Sequence, residues 1–334
     1  MILGGLILSI QVPFVVWSPG QVSDLYGRID GRPVVSLSGV ETYRTSGQIL
    51  VTDLDVSAPT VSLLTAMSAF FNPDHDLLPQ AVSYPVGQPI VQVAVGQRSP
   101  EAQRAAEAAA LILASEDVTQ VPVSRVVRVM SVEVGGASYG RLLPGDVLSA
   151  IGSTSLASVA EFSQAMSILS VGDTVQLTVI RNGKLIDTQI NVVIEASVDE
   201  RQAPSLGVTV SDSFLLGDVD ITGAPDTMGS DLILALAIYD LVTPGDLLKG
   251  RTVAGTGILD STGAVSPVAG ARQQLLAAQI AGADVFLLPA GNCANVPNGL
   301  TMTVIAVTTL ADTVDSLAAL VAGSPSSALP TCSN

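Results

Sequence analysis

The residues that could act as nucleophiles or bases are few, and their types exclude most kinds of catalysis. His75 is the only histidine in 334 residues, so a Ser-His-Asp or Cys-His mechanism depends on it, and every plausible nucleophile is predicted to lie in another part of the chain. Aspartic peptidases need a contiguous Asp-Thr-Gly or Asp-Ser-Gly, which is interrupted here at Asp226–Gly229 and Asp260–Gly263. What remains is a serine with a lysine base, and the only lysines are Lys184 and Lys249.

Metal and nucleotide sites are not predicted. Asn72-Pro73-Asp74-His75-Asp76 contains metal-ligand residue types, but Asn-Pro-Asp is typical of a turn, and adjacent residues rarely converge on one ion. There is no G-x-x-x-x-G-K-[ST] motif, and Asp260 replaces the third glycine of a dinucleotide motif that begins at Gly255. We therefore expect no cofactor and no ATP.

The composition indicates a globular chain that avoids nucleic acid. Hydrophobic residues make up 48% and charged residues only 13%, so a sizeable core is available. The formal charge of −16 would repel a phosphate backbone, and with 4% aromatic residues there are few platforms for base stacking. The length predicts more than one domain.

The first residues indicate a membrane anchor. Residues 1–17 are apolar and uncharged and end at the helix-breaking Ser18-Pro19-Gly20, without a basic leader or a cleavage site. The alternative is a buried N-terminal strand. The sequence therefore predicts a single-pass protein of the cell membrane.

The two cysteines help to predict on which side of the membrane the body lies. Cys293 and Cys332 lie in loop-like stretches, where a disulfide between them would close a loop of about 40 residues and contribute about 4 kcal/mol. The alternative is two unrelated surface thiols. Anchor and disulfide together predict an extracytoplasmic body.

The chain beyond the anchor divides into three predicted units and a tail at 324–334. A mixed α/β unit spans residues 21–117, with a strand at Gln48–Val56 and a helix at Pro100–Ala114. The unit at 121–197 has a helix capped by Ser158 and a hairpin whose turn is Asn182-Gly183. An α/β unit spans 204–323 and alternates strands with helices, which are predicted at Asp231–Leu241, Ala271–Ala281 and Leu310–Ala322.

The unit at 121–197 resembles a PDZ domain of the permuted bacterial protease type. The resemblance rests on the order of its elements and on Leu143-Pro144-Gly145-Asp146-Val147-Leu148, followed by Ile151 and Gly152. It implies binding of an extended peptide, often a C terminus, at a sheet edge. The predicted wall of the groove is Val132–Tyr139, with Val132, Gly135, Gly136 and Tyr139 as candidate binding residues. The alternative is a structural spacer with a closed groove.

Nearly the whole chain resembles the bacterial Lon-type serine peptidases that lack an ATPase, are membrane-anchored and contain an internal PDZ domain. The segments that match the family are TYRTSG at Thr42–Gly47, ALAIYDLVTPGDL at Ala235–Leu247, VAGTG at Val253–Gly257, GAVSPVAGARQQLLAA at Gly263–Ala278 and VFLLPAGNC at Val285–Cys293. The resemblance implies a Ser/Lys dyad, and such domains commonly form rings, which makes a homo-oligomer possible.

Both dyad positions are substituted. An ungapped count places the nucleophile position at Gly229, next to Ser230, and the base position holds Gln274. An amide cannot accept a proton from a hydroxyl near neutral pH. Ser230 is also the expected N-cap of the helix that begins at Asp231. Thr256 matches a threonine near the family's dyad.

We therefore predict an inactive peptidase homologue that binds peptides or unfolded protein segments. The alternative is an active, ATP-independent serine endopeptidase that uses Ser230 with an unidentified base, with Lys249 as one candidate. A third option is a purely structural assembly protein.

Overall fold

The computed structural model describes residues 10–29, 31–84, 100–117, 124–181, 184–196, 204–215, 220–222 and 231–332. The chain divides into two compact units. The composite unit combines residues 1–121 with residues 219–334, and the middle unit comprises residues 122–218.

Strands and helices are numbered along the chain. The composite unit has strands Gln11–Val12 (β1), Phe14–Asp24 (β2), Arg28–Ile29 (β3), Arg32–Pro33 (β4), Ser36–Ser38 (β5), Gln48–Val56 (β6), Val61–Ser62 (β7), Asp76–Pro79 (β8), Asp220–Thr222 (β17), Thr252–Gly255 (β18), Ile258–Leu259 (β19), Val265–Ser266 (β20), Val285–Pro289 (β21) and Thr303–Val307 (β22). Its helices are Leu63–Phe71 (α1), Gln80–Ser83 (α2), Pro100–Asp117 (α3), Asp231–Val242 (α5), Ala271–Ile280 (α6) and Leu310–Val321 (α7). The middle unit has strands Ser124–Val132 (β9), Val147–Ile151 (β10), Thr154–Ser155 (β11), Thr174–Arg181 (β12), Lys184–Val193 (β13), Glu195–Ala196 (β14), Pro204–Ser205 (β15) and Val208–Leu215 (β16), and the helix Val159–Ser167 (α4).

One six-stranded sheet organises the composite unit. Its order is β22-β21-β18-β6-β2-β8, with the first four strands parallel and β2 and β8 antiparallel to their neighbours. β6 pairs in register with β18, so that Gln48 lies opposite Thr252. The sequence analysis assigned these two strands to separate units at 21–117 and 204–323. In the structure they share one sheet. This pairing was not predicted, because strand pairing between distant segments leaves no local pattern in the sequence.

Helix α5 lies at the centre of the composite unit. All its residues except Leu241 are buried, so a single apolar stripe is absent. A partly buried hydrogen bond links it to the N-terminal segment, since the Tyr26 hydroxyl donates to Asp240 Oδ2 at 2.7 Å. Burial raises the pKa of Tyr26, and the neighbouring Asp240 carboxylate raises it further. The phenol therefore stays protonated and acts as a hydrogen-bond donor.

The N-terminal apolar run differs from the predicted anchor. Phe14–Trp17 lie in β2, where they pair with β8, and Val15 and Trp17 are 0% and 9% exposed. The predicted boundary at residue 17 is therefore wrong, because these side chains are buried in the sheet. Residues 1–9 lie outside the described residues, so the anchor itself stays a prediction. Among the helices of the described residues, none has the length and apolarity needed to cross a membrane.

The middle unit is built on a second sheet, of order β13-β12-β10-β9-β16, with β11 beside β10. The predicted hairpin is present as β12 and β13, although its turn at 182–183 lies outside the described residues. The predicted helix is α4, with the Ser158 hydroxyl accepting from the Glu161 N–H. Residues 204–215, which the sequence analysis placed in the C-terminal unit, belong here, because β16 pairs with β9 along its length.

The disulfide joins Cys293 to Cys332. It holds the C-terminal segment against the composite sheet, where Thr331 forms a bridge with Ile305 and the Ala306 N–H donates to the carbonyl of Pro330. This is the pairing that the sequence analysis favoured over two separate thiols.

Candidate functional site

A turn at Ser205, Leu206 and Gly207 leads into the edge strand of the middle unit. Its carbonyls face the loop after β9: Leu206 O accepts from the Ser138 N–H at 3.1 Å and Gly207 O accepts from the Glu133 N–H at 2.8 Å. The Gly207 N–H donates to Ser205 Oγ at 3.0 Å. Gly207 has a φ of +65°, and a Cβ on it would lie 3.1 Å from Gly136 Cα. The turn therefore requires glycine both for its conformation and for its close packing.

β16 has an open edge. It ends the sheet order, with β9 as its only partner in the sheet among the described residues. Because Gly207 O points to β9, the Val208 N–H at the other side of the same trans peptide points away from it. Backbone groups alternate along a strand, so Val208, Val210 and Asp212 present their N–H and C=O groups to the open edge. These groups can pair with an added strand.

Helix α4 lies along this edge. We call the space between the open edge of β16 and α4 the β16 groove, so that β16 and α4 form its two walls. Partly buried apolar side chains from both walls pack on the core of the middle unit: Val208 and Val210 of β16, and Phe162 of α4. The buried Leu206 and Met166 belong to the same core. The floor of the groove beside the turn at Gly207 is therefore apolar.

The residues predicted to bind peptide lie behind this groove. Val132 is in β9, which has partners on both sides, and it pairs with Val208. Gly136 packs against Gly207 and supports the turn from behind. No side chain of the described residues approaches within 4 Å of a Cβ built on Gly135, and Tyr139 is 57% exposed in the same loop. No further strand can pair with β9 on its β16 side, so the open edge here belongs to β16, and the predicted wall at Val132–Tyr139 stays a prediction.

A buried ion pair holds the loop before β10. Asp146 is 1% exposed, and its carboxylate accepts from Arg181 Nε at 2.6 Å, from Arg181 Nη2 at 2.8 Å and from the Leu143 N–H at 2.8 Å. The hydrogen bond that Arg181 donates to the Asp146 carboxylate raises the pKa of the Arg181 guanidinium. Asp146 is the acidic residue of the segment on which the PDZ resemblance rests, and its role in the structure is to tie β12 to this loop.

The peptidase-like positions lie in the composite unit, and the structure describes only some of them. Gly229 and Ser230 lie outside the described residues. Thr256 is 1% exposed and lies next to the first turn of α5, where the Leu232 N–H donates to Gly257 O. Gln274 is 3% exposed in α6, and its Oε1 accepts no hydrogen bond from the described residues. A buried amide therefore occupies the position that the resemblance gives to the base.

Lys249, the lysine considered as a base for Ser230, lies near the C-terminal end of α5. It lines a cavity of about 540 Å³ with Tyr239, Asp240 and Thr243. These residues lie in or just after the last turn of α5, and Tyr239 is about 12 Å along the helix axis from Asp231. A base must lie within about 3.2 Å of its hydroxyl. The other lysine, Lys184, belongs to the middle unit.

Two adjacent glutamines of α6 allow a matched test of the buried amide. Gln273 is 1% exposed and its Nε2 donates to Asp76 Oδ2 at 2.5 Å, whereas Gln274 Oε1 has no described partner. We expect Gln273→Leu to lower the free energy of unfolding by about 2 kcal/mol, because it leaves the carboxylate short of a donor. Gln274→Leu is expected to change it by less than about 1 kcal/mol.

Denaturant titration followed by fluorescence measures the free energy of unfolding of both glutamine variants. Trp17, the only tryptophan, is buried in β2 of the composite unit and reports its unfolding. Equal losses in the two variants would contradict the assignment of Gln274 Oε1 as an oxygen without a partner among the described residues.

His75 lies in a second cavity, of about 460 Å³, in the composite unit. The lining includes Ser18, Ser57, Ser68 and Asp55, so the imidazole shares this cavity with a carboxylate and several hydroxyls. The sequence analysis placed His75 in a different unit from every nucleophile, and in this respect the structure differs. No hydrogen bond joins the His75 ring to these groups in the described residues, so the contacts of a catalytic triad are absent there. Asp76, next to His75, instead pairs with Arg272 of α6 at 3.0 Å.

No group of three or more metal-ligating side chains occurs among the described residues. The acidic side chains Asp74 and Asp76 flank His75 in sequence, but the Asp74 N–H bonds to Asn72 Oδ1 in a turn, as predicted.

Comparison with known proteins identifies part of the middle unit. Residues 113–192 match the PDZ domain family, which confirms the presence of the predicted PDZ domain. The PDZ domain of an SdrC-like protein of Listeria monocytogenes is 28% identical, covering 25% of this chain and 85% of that one, with a TM-score of 0.23. The corresponding domain from Listeria innocua is 27% identical, covering 25% and 92%, with a TM-score of 0.23. No curated protein matches the chain.

The residues of the β16 groove were not predicted from the sequence as binding residues. Ser205–Leu206–Gly207 and β16 lie beyond the segment matched by the family, which ends at residue 192. Their signal was a glycine between apolar residues, followed by the alternation of Val208 and Val210. A boundary drawn at residue 204 assigned that signal to the next unit.

Proposed function

We propose that the chain binds the C-terminal segment of a protein partner as a strand added along β16, and that it does not cleave what it binds. PDZ domains bind peptides or proteins. The observation that supports the proposal is the open edge of β16, which begins at the Leu206–Gly207 turn.

The turn suits a terminal carboxylate. The Val208 N–H points to the open edge, directly after a glycine with positive φ, and such turns form concave anion sites from successive amides. The Gly207 N–H, which bonds to Ser205 Oγ, lies in the same turn. The carboxylate of a peptide running antiparallel to β16 would lie here, and its last side chain would enter the apolar floor formed by Leu206, Phe162 and Met166.

The absence of hydrolysis rests on the bases available to Ser230. Gln274 at the base position cannot accept a proton. Lys249 lines a cavity with Tyr239, which lies about 12 Å along α5 from Asp231, the residue that follows Ser230. These observations support an inactive homologue of the Lon-type peptidases over an active endopeptidase.

The test is to incubate the full chain with a fluorescent peptide that ends in valine and with an unfolded protein substrate. We expect saturable binding of the peptide, and mass spectrometry should find both substrates intact after prolonged incubation. Cleavage that is lost in Ser230→Ala would contradict the proposal and support the endopeptidase.

We also propose that the body of the protein lies outside the cytoplasm. The support is the Cys293–Cys332 disulfide, because such bonds persist in oxidising compartments and are rare in the cytosol. Attachment to the membrane through the apolar residues 1–9 belongs to the same proposal.

A further inference from the structure

Asp212 closes one end of the β16 groove. Its Oδ1 accepts a hydrogen bond from the Val159 N–H, at the first position of α4, at 2.7 Å. Asp212 pairs with Val127, which is 0% exposed, so both side chains lie on the face of the sheet that carries the core and α4. The groove thus runs from the turn at Gly207 to the carboxylate of Asp212.

The position of Asp212 relative to a bound peptide follows from strand geometry. A peptide that runs antiparallel to β16, with its carboxylate at the turn, places its last residue beside Val208. Side chains alternate between the two faces of a strand, so the last, third-last and fifth-last residues face α4. The last peptide residue lies beside Val208, the third-last beside Val210 and the fifth-last beside Asp212. The peptide therefore meets apolar side chains at the first two of these positions and a carboxylate at the third.

The charge of Asp212 is not neutralised in the described structure. Asp212 is exposed, and its carboxylate makes no ion pair with a described lysine or arginine. Arg125 of β9 lies on the same face, opposite Phe214, without an ion pair to Asp212. Glu161, a second exposed carboxylate, lies in the first turn of α4, where its Oε2 accepts from the Ala157 N–H at 2.6 Å. The end of the groove away from Gly207 is therefore acidic on both walls.

We propose that Asp212 selects peptides with lysine or arginine as the fifth residue from the C terminus. This inference rests on the proposed function of the β16 groove. The groove would then have two preferences: an apolar last residue, and a basic residue at the fifth position from the C terminus. Exposed ion pairs contribute about 0.2–1 kcal/mol, so the expected preference is about threefold for lysine over alanine at that residue. Glutamate is expected to bind about threefold more weakly than alanine, because like charges repel.

The experiment compares three fluorescent peptides that end in valine and differ only in the fifth-last residue, which is lysine, alanine or glutamate. Each is titrated against the full chain and against Asp212→Asn. Asparagine keeps an oxygen that can accept from the Val159 N–H, so α4 retains its N-terminal partner. In this variant we expect the three affinities to agree with one another within about 1.5-fold.

The matched control is Asp173→Asn, which removes the same charge from the loop that follows α4. The Asp173 carboxylate accepts from the Ser170 N–H, much as Asp212 accepts from Val159. The control is expected to keep the lysine preference, and in the parent the preference should shrink in 0.5 M salt, where charges are screened beyond about 4 Å.

The outcomes separate the inference from the proposal beneath it. If no peptide binds the parent chain, the proposed function fails. If all three bind the parent equally, only the selection by Asp212 fails. If Asp212→Asn weakens all three peptides alike, or Asp173→Asn also removes the preference, the inference is likewise overturned.

Discussion

Gly207→Ala is expected to weaken peptide binding by about tenfold or more. A non-glycine residue at a φ of +65° costs about 1–2 kcal/mol. If the turn relaxes to avoid this strain, the cost alone corresponds to a nearly tenfold loss of peptide affinity. The new Cβ would also lie 3.1 Å from Gly136 Cα and 3.2 Å from Ala137 N, both backbone atoms that cannot move freely. The turn is therefore expected to shift, and the Val208 N–H with it.

The matched control for this variant is Gly140→Ala. Gly140 has a φ of +73°, so alanine there carries a similar conformational cost, but no atom lies within 4 Å of the added Cβ. Gly140 is in the same loop region but outside the turn that leads into β16. Fluorescence anisotropy of a peptide ending in valine should show near-parent affinity for Gly140→Ala. Equal affinities for the two variants would contradict the assignment of the Gly207 turn to the binding site.

Asp146→Ala is expected to destabilise the middle unit by about 3 kcal/mol. Removing one partner of a buried ion pair typically costs 3–5 kcal/mol, and the lower figure applies because the Arg181 side chain is 29% exposed. The substitution also leaves the Leu143 N–H without its acceptor. The change is thus large compared with the total stability of a small domain.

Hydrogen exchange followed by mass spectrometry locates this loss. Protection should fall in peptides from β9, β10 and β12, the strands joined around Asp146 and Arg181. Asp173→Ala provides the comparison, because within the described part of the chain that exposed carboxylate accepts a hydrogen bond only from the backbone N–H of Ser170. If both variants lost the same protection, the ion pair would not be the main stabilising contact of this loop.

Elements with local signals could be predicted from the sequence. Ser158 and Glu161 marked the start of α4, and alternating apolar residues on either side of Asn182-Gly183 marked the β12–β13 hairpin. Gly282 and Gly323, which have positive φ just after α6 and α7, marked the ends of those helices. Such signals depend on residues a few positions apart, so tertiary structure does not alter them.

Long-range pairing could not be predicted in the same way. β16 pairs with β9, and β6 pairs with β18, across many intervening residues, and nothing in either strand names its partner. An apolar run such as Phe14–Trp17 suits a membrane helix and a buried strand equally well, and only its pairing with β8 decides between them. The edge strand of the middle unit was not predicted for this reason: the loop after β9 was recognised, but β16, which pairs with β9, was assigned to the next unit.

The most direct measurement compares binding of one peptide in two forms, with a free C-terminal carboxylate and with a C-terminal amide. The full chain is titrated with both by isothermal calorimetry. If the Leu206–Gly207 turn receives the carboxylate and β16 receives the strand, the acid should bind at least about tenfold more tightly than the amide. Equal binding of acid and amide, or binding of neither, would contradict the account.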